Sequence, residues 1–118
     1  MESKAIAKYI RMSPRKVRQV VDLVRGRQVD NAINILHFTH KAAALPVEKT
    51  LRSAVANMMN NDETSKIDTE KLFIKEAFVD SGFTFKRFRA ASMGRAMRMK
   101  RPSCSVTIVV ATTDDNKN

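Results

Sequence analysis

The side chains with the clearest chemical use in this sequence are cations interleaved with aromatic rings. The stretch GFTFKRFRAASMGRAMRMKR, Gly82 to Arg101, contains seven Lys or Arg residues, three Phe and no acid. Cations neutralise phosphates and aromatic rings stack on unpaired bases, so this combination is typical of RNA binding. The predicted phosphate-binding residues of this stretch are Lys86, Arg87, Arg89, Arg95, Arg98, Lys100 and Arg101.

A second group of cations surrounds the start of a predicted helix. Ser13 is a favourable N-cap, Pro14 fits the first helical position, and Gly26 can end the helix. One face is apolar at helical spacing and should pack in a core; it comprises Val17, Val20, Val21 and Val24. The N–H groups and dipole of a helix start favour phosphate. The cations placed to contact phosphate are Arg11, Arg15 and Lys16 near the start and Arg18 and Arg25 further along.

Composition predicts one domain with a polyanionic partner. The chain has 118 residues, of which 43% are apolar, and its net charge is +10, so nucleic acid is favoured over a membrane surface. A single cysteine, Cys104, excludes an intramolecular disulfide, and no apolar run approaches the roughly 18 residues that span a bilayer. The opening stretch MESKAIAKYI lacks the apolar run of a signal peptide, and a reducing compartment is expected.

The positive charge is concentrated in two parts of the sequence. Residues 1–27 contain eight bases and two acids, residues 28–80 contain six bases and eight acids, and residues 81–113 contain seven bases and no acid. This distribution predicts that folding brings the two basic parts together on one side, or that one of them projects from the domain.

The arrangement of apolar and turn residues predicts an α+β fold. Strands are expected at residues 4–10, 71–79 and 105–113 because these stretches are rich in β-branched and aromatic residues. A second helix should begin with Asp30 as N-cap and bury Phe38 at its end, and a third should run from near Thr39 to about Asn60 with a kink at Pro46. The residues from Asn60 to Glu70 are predicted to form a loop.

These elements predict three helices packed on a small antiparallel three-stranded sheet, with one long β-hairpin arm. Residues 1–112 are expected to form a single domain that includes the arm at about 80–105, and residues 113–118 a disordered tail. With about ten residues a side at about 3.3 Å each, the arm would extend roughly 30 Å. Such a hairpin is not stable alone in water, so a bound RNA would have to order it.

Two other function classes have some support in the sequence. SGFTFKRF, Ser81 to Phe88, partly resembles the aromatic stretch of RNA-recognition motifs, although Lys86 stands where that pattern has an apolar residue and three helices precede the stretch instead of one. An enzyme would need an acid and base pair such as Glu76 with Asp80 or Asp114 with Asp115, but no nucleophile or phosphate-loop motif accompanies them. No catalytic residue and no cofactor are predicted. His37 and His40 lack further ligands at suitable spacing, so no metal is predicted.

Several motifs in register resemble large-subunit ribosomal protein twenty-two. They are SPRKVRQVVDLVRG, the block from ILHFTHKAA to PVEKTLRSAVAN, EAFVDSG, KRFR, GRA and VTIVV, and together they cover residues 4 to 111. The resemblance implies a small α+β domain at the surface of the large subunit and a β-hairpin arm inserted into its rRNA. It implies that Ser13 to Arg18 contact rRNA, that Lys86 and Arg87 form the basic pair of the arm, and that Gly94 and Arg95 begin its return.

The resemblance also implies a place for the tip of the arm, in the wall of the nascent-peptide exit tunnel. The residues that would line the tunnel are Phe88, Ala90, Ala91, Ser92, Met93 and Gly94. The implied partners are large-subunit rRNA, neighbouring large-subunit proteins and the nascent polypeptide, with no membrane and no second copy of the chain. The expected location is the large ribosomal subunit in the cytoplasm. Family members often carry Pro after the glycine at Gly82 and a Pro-Arg-Ala stretch at the tip, so the tip here is more apolar.

Overall fold

The computed structural model describes residues 2–60, 69–90, 94 and 96–112. Its strands are β1 (Glu2–Ile10), β2 (Leu72–Ser81), β3 (Phe85–Ala90), β4 (Ala96–Arg101) and β5 (Cys104–Thr112). Its α-helices are α1 (Pro14–Asp22), α2 (Val29–His37) and α3 (Ala44–Met59), and a short 3-10 helix at Thr69–Lys71 precedes β2. Of the predicted loop from Asn60 to Glu70, residues 61–68 lie outside the described residues, and so does the predicted tail at 113–118.

A three-stranded antiparallel sheet in the order β1-β5-β2 forms one layer, and the helices form the other. α1 packs on β2, while α3 packs on β1 and β5. Val106, Ile108 and Val110 of the central strand are fully buried under the helices. On the opposite face Ile6 and Phe78, the two cross-strand neighbours of Thr107, are 46% and 41% exposed. This arrangement confirms the predicted α+β fold with three helices on a three-stranded sheet.

The first two helices follow the apolar periodicity but differ from the prediction at their ends. All four valines of the α1 stripe are fully buried, as predicted, although the regular helix already ends at Asp22 and Gly26 completes the turn with φ 79°. α2 begins two residues earlier than expected, with Gln28 as N-cap and Asp30 inside the first turn. Phe38 follows the end of α2 and is 74% exposed, so the prediction that it packs inward is wrong.

The third helix starts later than predicted, and the reason is Pro46. α3 begins at Ala44, which places Pro46 in the first turn. Backbone N–H groups in the first turn have no acceptor within the helix, so the N–H that proline lacks costs no hydrogen bond. The expected kink is therefore absent from α3, because the proline helps to set where the helix starts. Its buried stripe includes Val47, Leu51 and Met58, which recur at helical spacing.

The arm is a separate two-stranded sheet joined to the domain by two short connections. β3 pairs with β4, and residues 82–84 and 102–103 interrupt both strands between the arm and the main sheet. At this junction the Gly82 N–H donates to the Ser103 carbonyl at 2.9 Å, and the Ser103 hydroxyl donates to the Phe83 carbonyl. A Cβ on Gly82 would come within 2.9 Å of Ser103 Oγ, so any other residue here would have to displace Ser103. Each strand of six residues spans about 20 Å, less than the roughly 30 Å expected from uninterrupted strands.

Among the residues described, no helix combines the length and the apolar character that a bilayer span needs.

Candidate nucleic-acid interface

A cationic cleft lies where the start of α1 meets the base of the arm. It has a volume of about 600 Å³, and its described lining contains four cations and no acid. The lining residues are Arg11, Met12, Ser13, Lys16, Gln19, Lys41, Ala42, Ala43, Arg101 and Pro102. Four like charges around one open cleft repel one another, and a bound polyanion would relieve that repulsion.

One wall of the cleft is formed by the connection from β1 to α1 and by the first two turns of the helix. Ser13 has the extended conformation of an N-cap, and its carbonyl accepts from the N–H groups of Lys16 and Val17 at 3.1 and 3.2 Å. Its side chain makes no capping hydrogen bond, so the predicted N-cap position is right but the hydroxyl does not cap the helix. The positive end of the α1 dipole points to the same side as these cations.

The other wall comes from two segments distant in sequence. Lys41 precedes α3, whereas Arg101 is the last residue of β4 and is followed by Pro102. The cleft therefore unites predicted residues from both basic parts, namely Arg11, Ser13, Lys16 and Arg101. The two basic parts thus meet at the cleft, while other cations of the second part lie on the separate sheet of the arm, so each of the two alternatives that the charge distribution allowed holds in part. Sequence analysis missed Lys41, because an isolated lysine in a neutral stretch carries no local signal.

Two other cations of the predicted set, Arg18 and Arg25, bond to the outer edge of β2. Nε and Nη2 of Arg18 donate to the Val79 carbonyl at 3.3 and 3.0 Å. Nε and Nη2 of Arg25 donate to the Ala77 carbonyl at 3.0 and 2.8 Å, and its Nη1 donates to Asp22 Oδ1 at 2.6 Å. Because β2 is an edge strand, its outer carbonyls need partners other than a strand. These arginines have a structural role that sequence analysis missed, and phosphate contacts by either remain a prediction.

Arg15, the remaining cation predicted on α1, is exposed to solvent and does not line the cleft.

Two further predicted cations occupy paired positions in the strand register of the arm. Lys86 is exposed on β3, and the strand register puts Lys100 directly opposite it. Like charges at directly opposed positions destabilise a strand pair, which again favours an anion nearby. Further along the arm, β3 contains Arg87, Phe88, Arg89 and Ala90, and β4 contains Arg98.

Only part of the predicted tip can be placed. Gly94 is described and adopts φ 73°, a left-handed conformation that suits the return of a hairpin. The other predicted residues of this region, Ala91, Ser92, Met93 and Arg95, lie outside the described residues.

Tyr9, which sequence analysis did not single out, is exposed in a strained backbone conformation close to the cleft in sequence. The register between β1 and β5 shifts between Ala7 and Ile10, so Lys8 and Tyr9 form a bulge. Tyr9 has φ 62° and is 77% exposed, and Arg11 of the cleft follows two residues later. For a residue other than glycine this conformation costs about 1–2 kcal/mol.

The side chains that could have indicated other chemistry have ordinary surroundings. His37 is exposed, with Nδ1 3.8 Å from Glu48 Oε1, and Glu48 also accepts from Arg52 at 2.9 Å. Within the described part of the chain, no group of three or more His, Cys, Asp or Glu could hold a metal ion. Burial raises the pKa of the Cys104 thiol, an effect that the positive charge of Arg18 opposes. This thiol is therefore protonated and unreactive near neutral pH.

The alternative of an RNA-recognition motif does not fit the fold. Its aromatic stretch would have to lie on a strand within an open sheet. Here Ser81 ends β2, residues 82–84 are not in a strand, and Phe85 begins the arm.

Comparison with known proteins gives consistent matches over nearly the whole chain. The family model described as ribosomal protein L22p/L17e matches residues 5–111. The chain is 51% identical over 109 residues to large ribosomal subunit protein uL22 of Desulfitobacterium hafniense, covering 92% of this chain and 93% of the relative. It is 50% identical over 113 residues to the protein of the same name from Bifidobacterium longum, covering 94% and 95%. The corresponding protein of Pelotomaculum thermopropionicum is 49% identical over 111 residues, covering 94% and 96%.

Proposed function

Because the chain belongs to the ribosomal protein L22p/L17e family, we propose that it binds large-subunit rRNA as a structural component of the subunit. The observation that carries the proposal is the cationic cleft, which gathers Arg11, Lys16, Lys41 and Arg101 from different parts of the chain. A protein that contacts several phosphates gains most of its affinity from the counterions released. Membership of this family makes the chain a structural protein and not an enzyme.

The arm provides the second part of the proposed rRNA contact. Its cations would neutralise phosphates along both strands, and rRNA would supply the surroundings that an isolated hairpin lacks. The proposed contact residues are Arg11, Ser13, Arg15, Lys16, Arg18, Arg25, Lys86, Arg87, Arg89, Arg95, Arg98, Lys100 and Arg101. Binding through both the domain and the arm would connect separate rRNA segments, and in this way the protein would aid subunit assembly.

We further propose that the tip of the arm lines the nascent-peptide exit tunnel. The stretch from Ala90 to Met93 is small and uncharged, while the flanking sequence is strongly cationic. Cations would anchor the flanks to rRNA, and a neutral tip would let varied peptides pass without tight polar pairing. The partners are thus large-subunit rRNA, neighbouring large-subunit proteins and the peptide in transit. The site of action is the cytoplasmic ribosome, in agreement with the bacterial relatives.

Replacement of a bacterial host's own uL22 by this chain tests the assignment to the large subunit. We expect the chain to sediment with large subunits through a high-salt sucrose gradient, in an amount equal to that of other subunit proteins. Tight retention follows from many phosphate contacts made together with an embedded arm. Loss of the chain at moderate salt would contradict the proposal and would favour a free RNA-binding protein.

Site-specific photo-cross-linking tests the position of the tip. A photoreactive residue at Ala91 is expected to cross-link to a stalled nascent peptide within the assembled subunit. The matched control is the same residue at Phe83, which is 69% exposed at the base of the arm and should give no cross-link to the peptide. Cross-links from Ala91 to rRNA alone would place the tip against RNA instead of the tunnel lumen.

A further inference from the structure

Tyr9 has a backbone conformation that is unfavourable for its residue type. Glycine or asparagine adopts a positive φ at little cost, whereas a bulky aromatic residue at φ 62° is strained. Such strain persists where the surrounding structure imposes it, and it is concentrated at functional sites. The fold alone would be better served by glycine at this position.

The bulge determines where the strained residue points. Ala7 pairs with Val106, and Ile10 pairs with Cys104. Between these two pairs β1 has two residues, Lys8 and Tyr9, whereas β5 has only Ser105. A bulge of this kind redirects a side chain out of the regular alternation of a strand. Tyr9 is consequently 77% exposed, so packing within this chain does not account for the choice of an aromatic ring.

The sequence around Tyr9 supplies the charge that an RNA ligand requires. Lys8 and Arg11 are both exposed, and Arg11 lines the cationic cleft. An exposed ring between cations is the usual combination for unpaired nucleotides, where the backbone is neutralised and a base stacks on the ring. We infer that Tyr9 is a stacking platform for an unpaired rRNA base beside the cleft. This inference rests on the proposed rRNA binding and adds a residue and a mode of contact to it.

Intrinsic fluorescence gives a direct test, because Tyr9 is the single tyrosine of the chain and the chain has no tryptophan. The anisotropy of a dye on a short oligouridylate measures how much of the RNA is bound. The tyrosine emission measures stacking. We expect the single-stranded RNA to quench the emission as it binds. A duplex RNA of equal phosphate content is the matched control, and it should bind without this quenching because its bases are paired.

Three substitutions separate stacking from a structural role. Y9F keeps the ring and should bind the oligouridylate like the wild type, whereas Y9L keeps the bulk without the ring and should bind between about fivefold and a hundredfold more weakly. Y9G removes both ring and strain, so it should bind as weakly as Y9L while its melting temperature rises above that of Y9L. Circular dichroism verifies that each variant is folded.

The outcomes that overturn the inference are distinct from those that overturn the proposed function. RNA binding with unchanged tyrosine emission, or equal affinity of Y9L and wild type, would remove Tyr9 from the interface and leave rRNA binding intact. Equal quenching by single-stranded and duplex RNA would show that the emission responds to bound charge and not to stacking. Absence of any anisotropy change with both RNAs would contradict the proposed rRNA binding itself.

Discussion

Glutamine at Lys16, Lys41 and Arg101 together is expected to weaken binding to a large-subunit rRNA transcript by roughly 10²–10³-fold near 0.1 M salt. The three side chains come from α1, from the segment before α3 and from the end of the arm, and they line the same cleft. Each lost phosphate contact should also lower the slope of log affinity against log salt by about 0.7–0.9. The measurement is a filter-binding or anisotropy titration across a series of salt concentrations.

A second triple variant controls for bulk charge. Lys4, Lys49 and Lys71 are exposed lysines outside the lining of the cleft, and changing them to glutamine lowers the net charge by the same three units. This control should retain most of the affinity and of the salt slope. An equal loss in both variants would mean that the cleft has no special part in rRNA binding and that the overall charge of +10 determines affinity.

Methionine at both Arg18 and Arg25 is expected to lower the free energy of unfolding by about 3 kcal/mol. Each guanidinium donates two hydrogen bonds to a carbonyl on the edge of β2, at Val79 and Ala77 respectively. Because both bonds of each arginine go to a single carbonyl oxygen, we count them as one charged interaction of about 1.5–3 kcal/mol, and partial exposure of this edge places each interaction near the lower value. Because methionine keeps the apolar stem, the loss reports mainly on the bonds. Urea denaturation measures the change.

Arg15 provides the matched control for this prediction. It is an exposed cation on the same helix, so R15M should change the free energy of unfolding by about 0.5 kcal/mol or less. Similar stability of the control and the Arg18/Arg25 double variant would mean that water replaces the guanidinium groups at the edge of β2. The salt slope of rRNA binding by the double variant shows separately whether either arginine also contacts phosphate.

If the proposed function holds, α1 and the turn that follows it serve both folding and binding. The apolar stripe of α1 faces the core, Lys16 opens into the cleft, and Arg18 and Arg25 bond to the sheet. A strand edge left open would be a site for unwanted pairing with another chain. Arg18 and Arg25 occupy two carbonyls of that edge.

The sequence alone determined the features that depend on short-range patterns. Ser13 and Pro14 marked the start of α1, the valine spacing identified its buried face, and the β-branched run at the end identified β5. These signals are reliable because capping and periodicity involve residues within a turn or two of one another. Charge distribution left open whether the two basic parts meet or one of them projects, whereas the motifs identified the family.

Only the tertiary structure decided how individual polar and strained residues are used. Whether an arginine off the apolar stripe faces solvent or an edge carbonyl depends on the strand beside it, and Arg18 lies 61 residues from Val79. The position of Lys41 in the cleft depends in the same way on the packing of α3 against the rest of the domain. The positive φ of Tyr9 follows from the register between β1 and β5, about a hundred residues apart in sequence. Such contacts arise from the packing of distant segments, which a local pattern of residues does not encode.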